Sequence, residues 1–146
     1  MHRLAGRAHA GLFEVTDEQG TWYFTQFQTT HARAFFPCND QPDDKATTEI
    51  FAVVDHKLKV LSNGRKELDE TFSEGGKNLR RVHWKQDQPH STYLVALAIG
   101  AFEAVPTGGD IPSTVWVRPG SQDRAYAAVD ALRQSVNFQQ TYLGVK

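Results

Sequence analysis

A single cysteine stands in the most chemically mixed stretch of the chain, FTQFQTTHARAFFPCND, which runs from Phe24 to Asp40. Cys38 could act as a nucleophile, because a thiol becomes reactive beside a cationic neighbour or at a helix N-terminus. His31 and Arg33 lie close enough in sequence to supply such a neighbour. Free cysteines are nonetheless among the most buried residues in proteins. We therefore favour a packed structural thiol at Cys38, with a reactive thiol as the alternative.

The other side chains that commonly carry out catalysis form no recognised motif in this sequence. The six histidines include no H-E-x-x-H pair, and one cysteine cannot supply the paired ligands of a structural zinc site. A G-x-S-x-G serine elbow and a phosphate-binding P-loop are also absent from the sequence. We therefore expect no metal, no other cofactor and no catalytic residue within this chain.

The charges of the chain nearly cancel, with 16 Lys and Arg against 17 Asp and Glu. Nucleic-acid binding needs a clustered positive field, so we expect no nucleic-acid partner. The densest basic spot, Arg80 and Arg81, has acidic residues around it in sequence, and we interpret it as a solvated strand edge. Neighbouring carboxylates at 43–44 and 67–70 are expected in loops, one of which is predicted at 69–77.

The sequence also bears on the compartment in which the protein works. One cysteine excludes an intrachain disulfide, which fits a reducing compartment. No apolar run of a signal peptide follows Met1, and no apolar stretch approaches the roughly 18–20 residues of a membrane span. These features favour a cytoplasmic location without a membrane segment.

The elements that must position these residues are mostly β-strands, because the sequence period from Gly11 to Pro119 is two. Two β-favouring runs flank a turn sequence that starts at Asp17 and closes at Gly20, which predicts a hairpin. Alternation around Val60 and around Val82 predicts further strands with one apolar face. The run YLVALAIGAF is nearly all apolar, which predicts a strand buried on both faces.

The period changes near the C-terminus, where four apolar residues recur at spacings of four, three and four and so form one helical stripe. Ser121 or Asp123 can cap the start of this helix, and Gly144 lies just past its end. A striped helix needs a partner, which is either the sheet or a part of the protein that is missing. We predict a mostly-β fold, an antiparallel β-sandwich or saddle-like layered sheet with one C-terminal α-helix. The stripe consists of Ala125, Val129, Leu132 and Val136.

The stretch around Cys38 resembles the N-terminal β-domain of zinc aminopeptidases of the aminopeptidase N family. That family carries the pattern T-Q-F-E-x-T-x-A-R-x-x-F-P-C-x-D-E-P-x-x-K-A-x-F, and the chain departs from it with Gln28, Gln41 and Thr48. At one of the variable positions, His31 replaces an Asp that is common in the family. Three later segments, VLSNG, PHSTYLVALAIGAFE and VWVRPGSQDRAYAA, resemble the family in the same order. Within the pattern, the matching residues are Thr25, Gln26, Phe27, Thr30, Ala32, Arg33, Phe36, Pro37, Cys38, Asp40, Pro42, Lys45 and Ala46.

The resemblance implies that the chain is a piece of a longer zinc metallo-aminopeptidase, a hydrolase that removes N-terminal residues from peptides. Residues 1–119 would be the N-terminal β-domain without its first strands. Residues 120–146 would be a linker and the first helix of a missing catalytic domain. That domain carries the zinc site in the family, so the fragment alone is expected to be inactive. Its expected partners are peptides with a free N-terminus and the catalytic domain.

The resemblance also assigns roles to residues of the quoted stretch. Gln28 would accept a hydrogen bond from the α-ammonium of the substrate through its side-chain carbonyl, and Gln26 would line the pocket for the first side chain. Pro37 lacks an N–H and fixes φ, so the chain is expected to leave the strand there. The structural corner so formed would include Arg33, Phe36, Pro37, Cys38 and Asp40, with Arg33 and Asp40 able to pair across the turn.

Two other functions remain open at the level of sequence. The chain could be a non-enzymatic β-sandwich interaction module that kept the framework and lost the peptidase. An H-E-x-x-H motif in the downstream gene would distinguish the peptidase from this module. A cysteine-dependent activity at Cys38 is the second alternative, and slow reaction of the native chain with a thiol reagent would count against it.

Overall fold

The computed structural model of the chain describes residues 3–5, 11–108 and 111–144. These ranges contain ten β-strands, two short 3₁₀ turns and one long α-helix. The 3₁₀ turns span Ala32–Ala34 and Thr92–Leu94, and the helix α1 spans Gln122–Leu143. The strands are β1 (Arg3–Ala5), β2 (Gly11–Asp17), β3 (Gly20–Gln26), β4 (Lys45–Asp55), β5 (Lys59–Ser62), β6 (Arg65–Glu74), β7 (Lys77–Ser91), β8 (Leu97–Gly100), β9 (Glu103–Pro106) and β10 (Thr114–Val117).

The chain divides into two compact units, Met1–Ala101 and Phe102–Lys146. The first unit contains two antiparallel sheets, one with strand order β1-β2-β3-β8-β5 and one with order β4-β7-β6. Val60 of β5, Val82 of β7 and Leu97 of β8 form a buried cluster between these sheets. The predicted antiparallel β-sandwich is therefore confirmed, with its main core between the two layers.

The local predictions that rest on period-two patterns agree with the strands. β2 and β3 form the expected hairpin, in which Asp17 pairs with Gly20. On β7, Val82 is 1% exposed and faces the core, whereas Arg81 and His83 on either side of it face away. Alternating side-chain direction in a strand explains both results.

The prediction of a loop at 69–77 is wrong, because β6 continues to Glu74 and β7 begins at Lys77. The carboxylates of this segment lie on a strand and pair across it, Asp69 with Arg80 and Glu70 with Arg81, each at 3.1 Å. Such cross-strand pairs stabilise a sheet of polar sequence. Arg80 and Arg81 therefore belong to the central strand of the β4-β7-β6 sheet, and the interpretation of a solvated edge is also wrong.

The apolar run YLVALAIGAF is only partly a strand. It starts in the 3₁₀ turn at Thr92–Leu94, and β8 covers only Leu97–Gly100. The backbone between them bonds to a side chain, since Asn63 Nδ2 donates to Leu94 O and Ala96 N donates to Asn63 Oδ1. β8 lies between β3 and β5 as an inner strand, with Leu97 and Gly100 buried and the two residues between them half-buried.

The second unit consists of the β9–β10 hairpin and α1. The helix packs against both strands, with Ala125 and Val129 of its stripe buried, so the helix folds back on a sheet within its own unit. Further along the stripe Leu132 is 36% exposed, so this packing covers only part of it. Gly144 ends the helix at φ 65° as predicted.

No described helix is long and apolar enough to span a membrane. The boundary at residue 119 stays a prediction.

Candidate functional site

The two glutamines assigned to substrate binding flank the most tightly packed phenylalanine of the chain. Phe27 is 1% exposed, whereas Gln26 and Gln28 are exposed. The strand was expected to continue to Pro37, but β3 ends at Gln26, and Gln28 opens the turn that follows it. Neither glutamine side chain hydrogen-bonds to another residue within the described ranges, so both amides are available to a ligand.

The turn that carries Gln28 is closed at both ends by backbone contacts. His31 N donates to Phe27 O at 3.0 Å, which spans the turn. The 3₁₀ turn at Ala32–Ala34 follows at once, with Phe35 N and Phe36 N both donating to Ala32 O. The peptide bond between Gln28 and Thr29 is cis.

An apolar cluster fixes both sides of this turn. Phe27, Ala32 and Val95 form its buried centre, and Phe36 and Cys38 pack against it. The rings of Phe27 and Phe36 meet edge to face at a centroid distance of 6.0 Å, an arrangement that aromatic pairs favour. The cluster thus joins the end of β3 to the corner at 36–38 and to the segment before β8.

The carboxylate of Asp40 is the polar centre of the corner, and the side chain is fully buried. Arg33 donates to Oδ2 through Nε at 2.9 Å and through its backbone N at 3.3 Å. Ala32 N donates to Oδ1 at 3.3 Å, and the Thr92 hydroxyl lies 3.4 Å from the same oxygen. Asp40 itself has φ 52°, a left-handed conformation that Asp and Asn tolerate better than most residues.

These contacts change the acidity of Asp40. Burial alone raises the pKa of the carboxyl, but hydrogen bonds from the Arg33 side chain and from the backbone of Arg33 and Ala32 outweigh it, aided by the guanidinium charge. The net effect holds the pKa of Asp40 below its usual value. The carboxylate is therefore ionised at neutral pH and can serve all of its donors at once.

Cys38 behaves as a packed side chain in this setting. It is half-buried, has no disulfide partner and contacts the Phe27 cluster. The guanidinium of Arg33, the cation nearest to it in sequence, is engaged with Asp40. These contacts favour the structural interpretation over a reactive thiol.

A cavity of about 700 Å³ opens beside the corner. Phe36, Pro37 and Cys38 line one side, and residues 46–52 of β4 line the other. Gln26 and Gln28 are not among its lining residues. The cavity and the two exposed amides are therefore separate features of the first unit.

No sequence pattern indicated the polar contacts that link the start of β8 and the segment before it to the corner and to β3. Besides Thr92, the Ser91 hydroxyl donates to Pro42 O, and Leu97 N donates to Thr25 Oγ1 at 2.9 Å. The S-T-Y-L part of the family-like segment contains Ser91 and Thr92 and was the signal that could have identified them. These bonds join residues that lie 49 to 72 positions apart in the chain.

The described ranges contain no group of three or more His, Cys, Asp or Glu side chains that could hold a metal ion. Protein zinc sites use three or four such ligands, so the residues described do not fit a zinc ion. We derive no zinc-dependent step from this part of the chain.

Comparison with known proteins identifies the framework that carries these residues. Residues 6–94 match the family model described as the Peptidase M1 N-terminal domain. The chain belongs to this family. The resemblance found in the sequence is therefore confirmed. The chain is a β-rich N-terminal domain of the aminopeptidase and metallopeptidase class.

The curated relatives of this M1 N-terminal domain are aminopeptidases. The chain is 30% identical over 145 residues to "Probable aminopeptidase 2" of Sulfurisphaera tokodaii. The aligned stretch covers 99% of this chain and 18% of that relative. It is 32% identical over 145 residues to "Leucyl aminopeptidase" of Saccharolobus solfataricus, and the aligned stretch covers 98% of this chain and 18% of that relative. It is 32% identical over 123 residues to "Glutamyl aminopeptidase" of Bos taurus, and the aligned stretch covers 83% of this chain and 13% of that relative. The chain thus spans less than a fifth of each of these relatives.

Proposed function

We propose that this M1 N-terminal domain is the substrate-anchoring part of a zinc metallo-aminopeptidase, which removes residues from the N-termini of peptides. The family match and the aminopeptidase names of the relatives support this assignment. The parent enzyme's partners are peptides with a free amino terminus and the catalytic domain that follows in the longer protein.

The proposed anchor is the side-chain carbonyl of Gln28. An aminopeptidase must recognise a free α-ammonium, which has only hydrogen-bond donors, so the enzyme must supply fixed acceptors. A neutral amide gives a weaker bond to an ammonium than a carboxylate does. Gln28 therefore provides a moderate anchor where most members of the family have Glu. Gln26 lines the pocket for the first side chain of the substrate.

The observation that carries this proposal is the exposure pattern of residues 26–28. Two amides without hydrogen-bond partners in the described ranges flank a phenylalanine that is 1% exposed. Phe27 fixes the backbone, and the amides on either side stay free for a ligand. Although Gln28 lies in a turn, the buried Phe27 and the bond from His31 N to Phe27 O hold that turn, as a binding site requires of its supporting residues.

The proposal places zinc and the catalytic residues outside this chain. When bound in the parent enzyme, zinc would polarise the scissile carbonyl and activate water. The residues of this chain would bind and orient the amino terminus of the peptide. The chain alone should therefore release no amino acid from peptides.

Kinetics of the full-length enzyme test the anchor. Gln28→Ala should lower kcat/KM on a peptide with a free amino terminus by the equivalent of about 1–3 kcal/mol, as for a hydrogen bond to a charged group. Gln28→Glu should retain or raise that activity. Neither change should matter for the N-acetylated peptide, which has no ammonium.

Gln134→Ala is the matched control, because Gln134 is an exposed glutamine on α1. It should leave kcat/KM unchanged. Equal rates for the wild type and Gln28→Ala on the free peptide would refute the assignment of Gln28.

A further inference from the structure

The Asp40 carboxylate links its own segment, the corner at 36–40, to two other segments of the chain. It accepts hydrogen bonds from Ala32 and Arg33 after the Gln28 turn, and from Thr92 before β8. The Thr92 contact spans 52 positions of the chain. A buried carboxylate with this many donors is a structural centre on which each of the three segments depends.

The turn that carries Gln28 is held by apolar packing at both ends and, at its end, also by hydrogen bonds to Asp40. At its start Phe27 is buried in the apolar cluster, and Phe27 O accepts from His31 N. At its end the N–H groups of Ala32 and Arg33 both point at Asp40. Without the carboxylate, two backbone donors at the end of the turn lose their acceptor.

We propose that Asp40 is a positioning residue for substrate anchoring, because its carboxylate fixes the end of the turn that presents Gln28. This inference rests on the proposed function of Gln28. Asp40 does not touch the substrate and acts only through the conformation of residues 28–32.

Both oxygens of the carboxylate are required for this role. Oδ1 serves Ala32 and Thr92, while Oδ2 serves the backbone and side chain of Arg33. An asparagine keeps the left-handed backbone conformation but replaces one acceptor oxygen with an NH₂ donor. Asp40→Asn therefore leaves one acceptor oxygen for the four contacts, with little added backbone strain.

The test is a double-mutant cycle in the full-length, zinc-loaded enzyme with Gln28→Ala, Asp40→Asn and the double variant. Asp40→Asn should raise KM for a free-amino peptide about tenfold with kcat within about twofold, because the anchor binds substrate and transition state alike. In the Gln28→Ala background the same change should have almost no effect on KM. Coupled residues give non-additive effects of this kind, whereas independent ones add.

A milder pair of variants keeps the test valid if Asp40→Asn does not fold. Thr92→Val removes one donor to Oδ1 and keeps the side-chain shape, so it should raise KM by a smaller factor and again only when Gln28 is present. Thr92→Ser keeps the hydroxyl, so the KM of this variant should equal that of the wild type.

The outcomes separate this inference from the function on which it rests. If Gln28→Ala lowers kcat/KM but Asp40→Asn and Thr92→Val leave KM unchanged, the positioning role is wrong and the anchor stands. Additive effects in the double variants would also overturn the positioning role. If Gln28→Ala has no effect on the free peptide, the anchor itself is wrong and the positioning role falls with it.

Discussion

The Asp40 carboxylate is the group on which most of the corner's polar contacts converge. Because its pKa in the folded chain lies below the unfolded value of about 3.9, its contribution to stability is present above that pH. The contribution is lost as the pH falls through the lower, folded-state pKa. Arg33 is 59% exposed, so water can solvate its guanidinium once Asp40 is protonated or replaced.

Asp40→Asn should therefore lower the melting temperature by several degrees at pH 7 and make the acid limb of the stability profile shallower. Thermal unfolding of both forms between pH 7 and pH 2.5 measures this effect. Asp43→Asn is a suitable control, because Asp43 is exposed and has no ion pair within the described ranges. Parallel profiles for wild type and Asp40→Asn would contradict the role assigned to the carboxylate.

Among the larger elements, the turn between β5 and β6 depends on a close backbone approach. Gly64 has φ 82°, and a Cβ built on it would lie 2.1 Å from the carbonyl oxygen of Lys85 on β7. Any side chain at this position must push the two strands apart. The loop from β5 to β6 therefore requires glycine on steric and conformational grounds.

Gly64→Ala should destabilise the first unit by more than the roughly 1–2 kcal/mol that a left-handed alanine costs, because the backbone clash adds to the strain. Gly76→Ala is the matched control, since Gly76 has φ 73° and open space around its Cβ position. Urea unfolding of both variants measures the difference. A smaller loss for Gly64→Ala than for Gly76→Ala would contradict this account of the turn.

Elements with a local signal were predictable from the sequence, and those that depend on distant partners were not. The hairpin at Asp17–Gly20 and the inward-facing Val82 follow from patterns of a few residues. β6 was missed because its carboxylates are satisfied by arginines of β7, which the local pattern does not show. In the candidate site, the sequence indicated Arg33 and Asp40, but the Thr92 contact and the burial of Asp40 depend on residues brought together only by the fold.

At the scale of the whole molecule, the isolated chain has an open edge. β4 pairs with β7 on one side and with no strand on the other within the described ranges. Its residues 50–54 carry no charge, and Phe51 and Val53 are 67% and 55% exposed. An exposed, uncharged apolar stretch on an edge strand is a template for pairing with another chain.

The isolated chain should therefore self-associate as its concentration rises or melt at a low temperature. Val53→Lys should reduce the association, because a charge on an edge strand opposes pairing. Gln134→Lys adds the same charge on α1 and should have less effect. Sedimentation velocity over a hundredfold concentration range, with melting curves, provides the measurement. A strict monomer with a sharp melt at high temperature would contradict the expectation.

The proposed function requires that this M1 N-terminal domain belong to an enzyme that measures peptides from their free amino terminus. The most direct test is to assay the full-length protein, zinc-loaded, on one peptide with a free amino terminus and on its N-acetylated twin. We expect stepwise release of N-terminal residues from the free peptide, loss of that activity on zinc chelation, and no release from the acetylated peptide. Equal cleavage of both peptides, or no cleavage of either, would contradict it.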